Sequence, residues 1–262
     1  MDYGLAGKRA LVTGGSRGIG LAVAKLLAAE ASCHVAICSR SKDHLAAAKA
    51  ELGRAGGEVH AIEADVLDPA QTDAAMRALD KLWPGSVDIL VNNVGGGGRW
   101  GKPSVEDTPP AVWDEVYRKN AGAAASFTRW AIPGMRRRKW GRVVTIASIH
   151  GREGGGRPWF TMAKAAEIAM MKSMAMTPYL ARDGITFNTV APGSIMIPDT
   201  GWAEERAKDP AAFARRMESE FPLGRLGAPE EVAAVVLFLC SAQASLVNGA
   251  CIAVDGGESA SF

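Results

Sequence analysis

The sequence has little that would send it to a membrane, to nucleic acid or into a disulfide framework. No apolar run reaches spanning length, and the opening MDYGLAGKRA lacks the apolar core of a secretion signal. The four cysteines, Cys33, Cys38, Cys240 and Cys251, form no C-x-x-C pair, so they are expected to be reduced and packed, and no metal site is expected. Net charge is only +2, from 30 basic and 28 acidic residues, too small an excess to draw in a polyanion. The run Arg136-Arg137-Arg138-Lys139 resembles a nucleic-acid patch in isolation, yet it falls at a predicted helix C-terminus, where cations complement the helix dipole. No linker, low-complexity block or repeat interrupts the 262 residues. These absences predict one soluble, cytoplasmic domain over residues 1–262, without nucleic-acid or membrane partners.

What the sequence does contain is organised around RALVTGGSRGIG, residues 9–20. A short apolar strand, residues 10–12, ends in a glycine-rich turn, and helix formers follow. Such a turn brings the unpaired N–H groups of a helix N-terminus against an anion with no side chain in the way. Gly14, Gly18 and Gly20 allow close backbone approach and tight strand-to-helix packing, with Ser16, Arg17 and Ile19 between them. The spacing is G-x-x-x-G-x-G, not the commonest dinucleotide fingerprint, and an ordinary flexible turn is the alternative reading.

Beyond this turn, strands and helices alternate. Strands are predicted at 33–39, 58–64, 87–91, 142–147, 185–190 and 250–254. Helices are predicted at 42–52, 69–82, within 110–138, along 159–182 and at 229–241. Such alternation implies an α/β fold, a doubly wound parallel sheet of Rossmann type with helices on both faces and ligands at the carboxyl ends of the strands.

The informative residues fall at those ends. About 20 residues past the glycines, a cofactor with a free ribose 2′-OH wants an acid. Ser39 and Arg40 stand there instead, and Arg40 with Arg17 can pair with a 2′-phosphate, so NADP(H) is expected over NAD(H) unless both arginines are merely solvated. After the third strand, Asp65-Val66 offers a carboxylate suited to an adenine amino group, with an ordinary helix cap before Pro69 as the close alternative. After the fourth, Asn92-Asn93-Val94-Gly95 begins a flexible stretch where the middle of a dinucleotide would pass.

Taken together, Thr13-Gly14-x-x-x-Gly18-x-Gly20, Asn92-Asn93-x-Gly95, Asn120, Ser148, Lys164 and Pro192-Gly193 resemble the signature of the short-chain dehydrogenase/reductase family. The resemblance covers essentially the whole chain and is strongest to 3-oxoacyl carrier-protein reductases and small alcohol or sugar dehydrogenases. It implies that Gly14, Ser16, Arg17, Gly18, Ile19, Gly20, Ser39, Arg40, Asp65, Val66, Asn93, Gly95, Lys164, Pro192, Gly193 and Ile195 hold the cofactor. It further implies that Ser148 binds the substrate oxygen, that Asn120 positions a proton-relaying water, and that Lys164 holds the nicotinamide ribose. A tyrosine twelve residues after the serine should exchange the proton, its pKa lowered by the lysine. Phe160 occupies that place.

Phenylalanine keeps the ring and its packing but has no ionisable proton. General acid–base catalysis is worth about 10²–10⁴-fold, so the chain is expected to bind and be strongly impaired as an oxidoreductase between a secondary alcohol and a ketone. The otherwise complete set reads as a deliberate Tyr-to-Phe change that traps a complex. The alternatives are a natural non-catalytic NADP-binding relative, or an enzyme whose proton comes from His150 or from the substrate itself.

Ser148, His150, Arg152, Trp100 and Trp202 are the candidate substrate contacts, suited to a polar or anionic carbonyl compound or alcohol. Residues 194–221 are expected to cover the substrate as a lid, with Met196, Ile197 and Phe213 beside Trp202 in the wall. Family members often have threonine at the place of Ile197, and Thr200 is the nearest substitute. The helix around 163–176 is apolar on more than one face, and the resemblance implies a homodimer or homotetramer packed there.

Overall fold

The computed structural model describes residues 2–29, 33–55 and 58–262. The chain alternates strands and helices in the order β1 (Arg9–Thr13), α1 (Gly18–Ala29), β2 (His34–Ser39), α2 (Lys42–Leu52), β3 (Val59–Glu63), α3 (Pro69–Leu82) and β4 (Ile89–Asn92). It continues with α4 (Pro110–Tyr117), α5 (Ala123–Arg138), β5 (Gly141–Ile146), α6 (Pro158–Ala175), α7 (Pro178–Arg182), β6 (Ile185–Pro192), α8 (Gly201–Lys208), α9 (Pro210–Glu220), α10 (Pro229–Cys240) and β7 (Cys251–Val254). The seven strands form one parallel sheet in the order β3-β2-β1-β4-β5-β6-β7. This is the doubly wound arrangement that the alternation predicts.

The central strands read as short continuous apolar runs because both faces of the sheet are covered. Val12, Ile37, Val91 and Val144 pack on one side with α1 and α10, whereas Leu11, Leu90, Val143 and Phe187 pack on the other with α3, α5 and α6. Local chemistry sets the helix starts. Ser41 caps α2 by accepting from the His44 N–H, and Asp68 caps α3 ahead of Pro69 in the first turn. Cys33, Cys38 and Cys240 are buried, and burial pushes the Cys38 thiol up to about 12.

One expected element is corrected, and the helical stretches expected within 110–138 are found. The single helix along 159–182 is two, because Pro178 lacks an N–H and opens α7 after α6 has ended at Ala175. The helical stretch 110–138 is interrupted at Arg118–Gly122 by a wider π-type turn, which carries Asn120. At the end of α5, Arg136 and Lys139 pair with Asp183, and Arg138 with Asp88. The RRRK run therefore ends a helix and makes ion pairs.

The order reverses between β1 and β4, which opens a crevice at their carboxyl ends. Phe213 and Met217 of α9 form a small apolar cluster with Phe221 and Leu226, against which Met196 and Trp202 pack. No helix among the described residues is long and apolar enough to cross a membrane.

Candidate active site

A cavity of about 460 Å³ lies in the crevice, lined by Gly14, Ser16, Arg17, Gly18 and Ile19 from the glycine turn and by Ser39 and Arg40 from the end of β2. Asp65, Val66, Asn93, Gly95, Ser148, Phe160, Lys164, Pro192, Gly193 and Ile195 complete most of the predicted set. Gly20 is not in the lining. A Cβ there would collide with the Gly14 carbonyl and Asn93 Nδ2, so Gly20 serves the packing of strand against helix.

The asparagines after β4 brace this geometry. Asn93 Nδ2 donates to the carbonyls of Thr13 and Gly14 at 3.0 and 3.1 Å, tying the two rims of the crevice. Asn92 donates to Thr128 and Thr145 in the core. Asn120, fully buried, accepts from Gly96 N at 3.1 Å and donates to the carbonyls of Gly96 and Val116 at 2.9 and 2.7 Å. Its amide lies outside the cavity lining and clamps the glycine loop to the π-type turn. A Cβ on Gly95 would come within 2.6 Å of Asn120 Oδ1 and 2.9 Å of Lys164 Nζ, so only glycine lets these groups approach.

Electrostatically, Arg17, Arg40, Lys119 and Lys164 face the cavity against the one carboxylate of Asp65. Asp65 Oδ1 accepts from the Leu67 N–H, and the cap of α3 is Asp68. Lys119 escaped the sequence reading, because nothing in RKN says which way the lysine turns inside a π-type turn. It lies 4.3 Å from the Trp100 ring centroid. Its pKa is lowered, first by burial and then by the neighbouring charge of Arg40. Three cations converging at the Ser39 end, beside the N-terminus of α1, suit a phosphate-rich ligand. The side chains present thus fit an NADP-type dinucleotide.

At the other end, Ser148 follows β5 and accepts from the His150 N–H at 3.2 Å. Lys164 donates to the Ile146 carbonyl and to Glu167, each at 2.9 Å. The Phe160 ring lies with its centroid 5.9 Å from Lys164 Nζ and 6.4 Å from the His150 ring. Glu167 is the second residue missed, since a lone glutamate in a helix reads as solvent-facing. It is 1% exposed, and burial raises its carboxyl above the usual range although Lys164 acts against this.

A second cavity, about 580 Å³, adjoins the first and shares Ser148, Phe160, Gly193 and Ile195 with it. His150 and Trp202 line it, joined by Arg99, Arg157, Ser194 and Glu258. Arg152 and Trp100 line neither cavity. Arg152 turns to the Phe262 carbonyl, and Trp100 stacks under Lys119. Met196 and Phe213 wall a separate pocket, whereas Ile197 and Thr200 reach the first cavity, where the Thr200 hydroxyl donates to the Ile197 carbonyl.

With this geometry in hand, the comparisons with known proteins agree in one direction. The family described as "Enoyl-(Acyl carrier protein) reductase" matches residues 14–259. A 3-oxoacyl-[acyl-carrier-protein] reductase of Aquifex aeolicus is 35% identical over 260 residues, covering 98% of this chain and 99% of the relative. A D-beta-hydroxybutyrate dehydrogenase of Cupriavidus necator is 35% identical over 263 residues, with 97% and 98% covered. Among solved structures, L-sorbose reductase of Gluconobacter frateurii, complexed with NADPH and L-sorbose, superposes with a TM-score of 0.91 at 32% identity and covers 100% of both chains. The chain belongs to the short-chain dehydrogenase/reductase family of oxidoreductases.

Proposed function

We propose that this protein is an NADP(H)-dependent oxidoreductase that interconverts a secondary alcohol and a ketone by hydride transfer, with its proton step strongly impaired by Phe160. The observation that carries the reading is the junction of the two cavities. A crevice rich in cations meets a second, partly polar space at Ser148, Phe160, Gly193 and Ile195, so the reacting ends of a dinucleotide and a small carbonyl compound would come together there. The NADPH and L-sorbose held by the Gluconobacter frateurii reductase support the same pairing.

Arg17, Arg40 and Lys119 would hold the 2′-phosphate and pyrophosphate region, the N–H groups at Gly18 and Ile19 the pyrophosphate, and Lys164 a ribose hydroxyl. When bound, NADPH supplies the hydride. Ser148 would orient the substrate oxygen, with His150, Trp202, Arg99 and Glu258 shaping the space around the remainder. Residues 194–221 would cover it, and Pro192, Gly193 and Ile195 would flank the nicotinamide. Nothing at position 160 can hand a proton to the oxygen that receives negative charge. The exposed Met162 and Met176 on α6 and its end support a homodimer or homotetramer.

A non-catalytic NADP-binding protein is the second reading, favoured by a lysine already engaged by Glu167. Phe160→Tyr separates the two. NADPH oxidation with a ketone panel, followed to alkaline pH, should rise by about 10²-fold or more. An unchanged rate with NADPH still bound would remove the catalytic reading. Should His150→Ala abolish a measurable rate in the Phe160 form, protonation through His150 takes its place.

A further inference from the structure

Lys164 does not face the cavity as a lone cation. Its ammonium has three N–H donors, of which one goes to the Ile146 carbonyl and one to Glu167 Oε2, both at 2.9 Å. The two side chains are 5% and 1% exposed, so the pair is held out of solvent with fixed geometry. One N–H remains, on a residue that lines the cavity beside Phe160. Residues 160, 164 and 167 follow at helical spacing on α6.

A cation beside a phenol favours the phenolate, while a carboxylate on that cation opposes the effect. The opposing charge sits 2.9 Å from Nζ, whereas the ring at position 160 is 5.9 Å from it. Seen from the ring, the carboxylate therefore cancels part of the ammonium's charge. We infer that Glu167 is a positioning residue that fixes Lys164 and offsets its charge, leaving the lysine to hold a ligand hydroxyl without ionising a group at position 160. This rests on the proposed placement of Lys164 in the active site.

The test compares Phe160→Tyr with Phe160→Tyr/Glu167→Gln by ultraviolet difference titration of the added phenol, the Phe160 parent correcting for Tyr3, Tyr117 and Tyr179. Arg17, Arg40, Asp65 and Lys119 face residue 160 across the first cavity. Arg99, His150, Arg157 and Glu258 face it across the second. All eight are common to both variants, so the difference isolates Glu167. The single variant should titrate near the ordinary phenol value of about 10. In the double variant the phenol and Lys164 titrate as a coupled pair, and the apparent value should fall by about one unit or more. Phe160→Tyr/Glu167→Leu, with an apolar group in the buried place, should show the same fall. The pH profile of NADPH oxidation should move with it. Identical titrations in all three variants overturn the inference. A shifted titration with no NADPH oxidation on any ketone upholds it while removing the proposed reaction.

Discussion

Replacing Lys164 by methionine keeps an unbranched side chain in the buried site but strips Glu167 of its counter-charge. At 2.9 Å and an effective dielectric of about 20, the gross attraction is about 6 kcal/mol, most of it set against desolvation. Breaking a buried pair by removing one partner costs about 3–5 kcal/mol. At about 2–4 °C per kcal/mol for a chain of this size, the melting temperature should drop by roughly 6–20 °C. In Lys164→Met/Glu167→Leu no buried charge is left, and most of the loss should be recovered.

The sign of the pH dependence follows from the direction of the carboxyl. Burial raises Glu167 in the folded chain, and removing Lys164 raises it further. A carboxyl with a raised folded pKa favours folding below its unfolded value of about 4.3 and loses that contribution as pH rises through the folded value. The deficit of Lys164→Met should therefore be small at about pH 4 and full at about pH 8. Urea unfolding followed by circular dichroism at both values measures it. A single variant as stable as the parent at pH 8, or a double variant no better than the single, would refute the account of the pair.

Other expectations follow from the same geometry. Arg40→Ala removes a charge-assisted contact worth about 1.5–3 kcal/mol, so titration calorimetry should show NADPH weakened by roughly 10–100-fold with NADH little changed; equal weakening would contradict the 2′-phosphate assignment. Asp88 is braced by Arg9 at 3.1 Å and Arg138 at 2.6 Å, and Asp88→Asn should cost about 3 kcal/mol in urea unfolding near neutrality. Although burial pushes the Asp88 carboxyl up, the hydrogen bonds from Arg9 and the charges of Arg138 and Arg9 hold it below the usual range. Its contribution is present above the unfolded value of about 3.9 and is lost as pH falls through the lower folded value. Parent and variant should converge in that acid window, and a gap persisting there would mean that the Arg9–Asp88–Arg138 cluster acts through packing alone.

Much of the fold and of the site was legible because its signals are local. The glycine turn and Phe160 four residues before Lys164 each depend on neighbours a few positions away. The strand ends then carry Ser39, Arg40, Asn93 and Ser148 to one crevice by topology alone. What stayed hidden depends on distant partners. Arg152 turns to Phe262, and Trp100 stacks under Lys119. Asn120 spends its amide on backbone brought near by the glycine loop. Glu167 and Lys119 carry no local signal, and it is tertiary packing that buries one beside Lys164 and brings the other into the lining of the crevice. The break between α6 and α7 was available in Pro178, but strong helix formers on both sides masked it.

The most direct test is a crystal structure of the chain soaked with NADPH. The account predicts the pyrophosphate against residues 14–20, the 2′-phosphate between Arg17 and Arg40, and the nicotinamide beside Ser148, Phe160 and the free N–H of Lys164. A crevice that stays empty at saturating NADPH, or a nicotinamide directed away from Phe160, would contradict it.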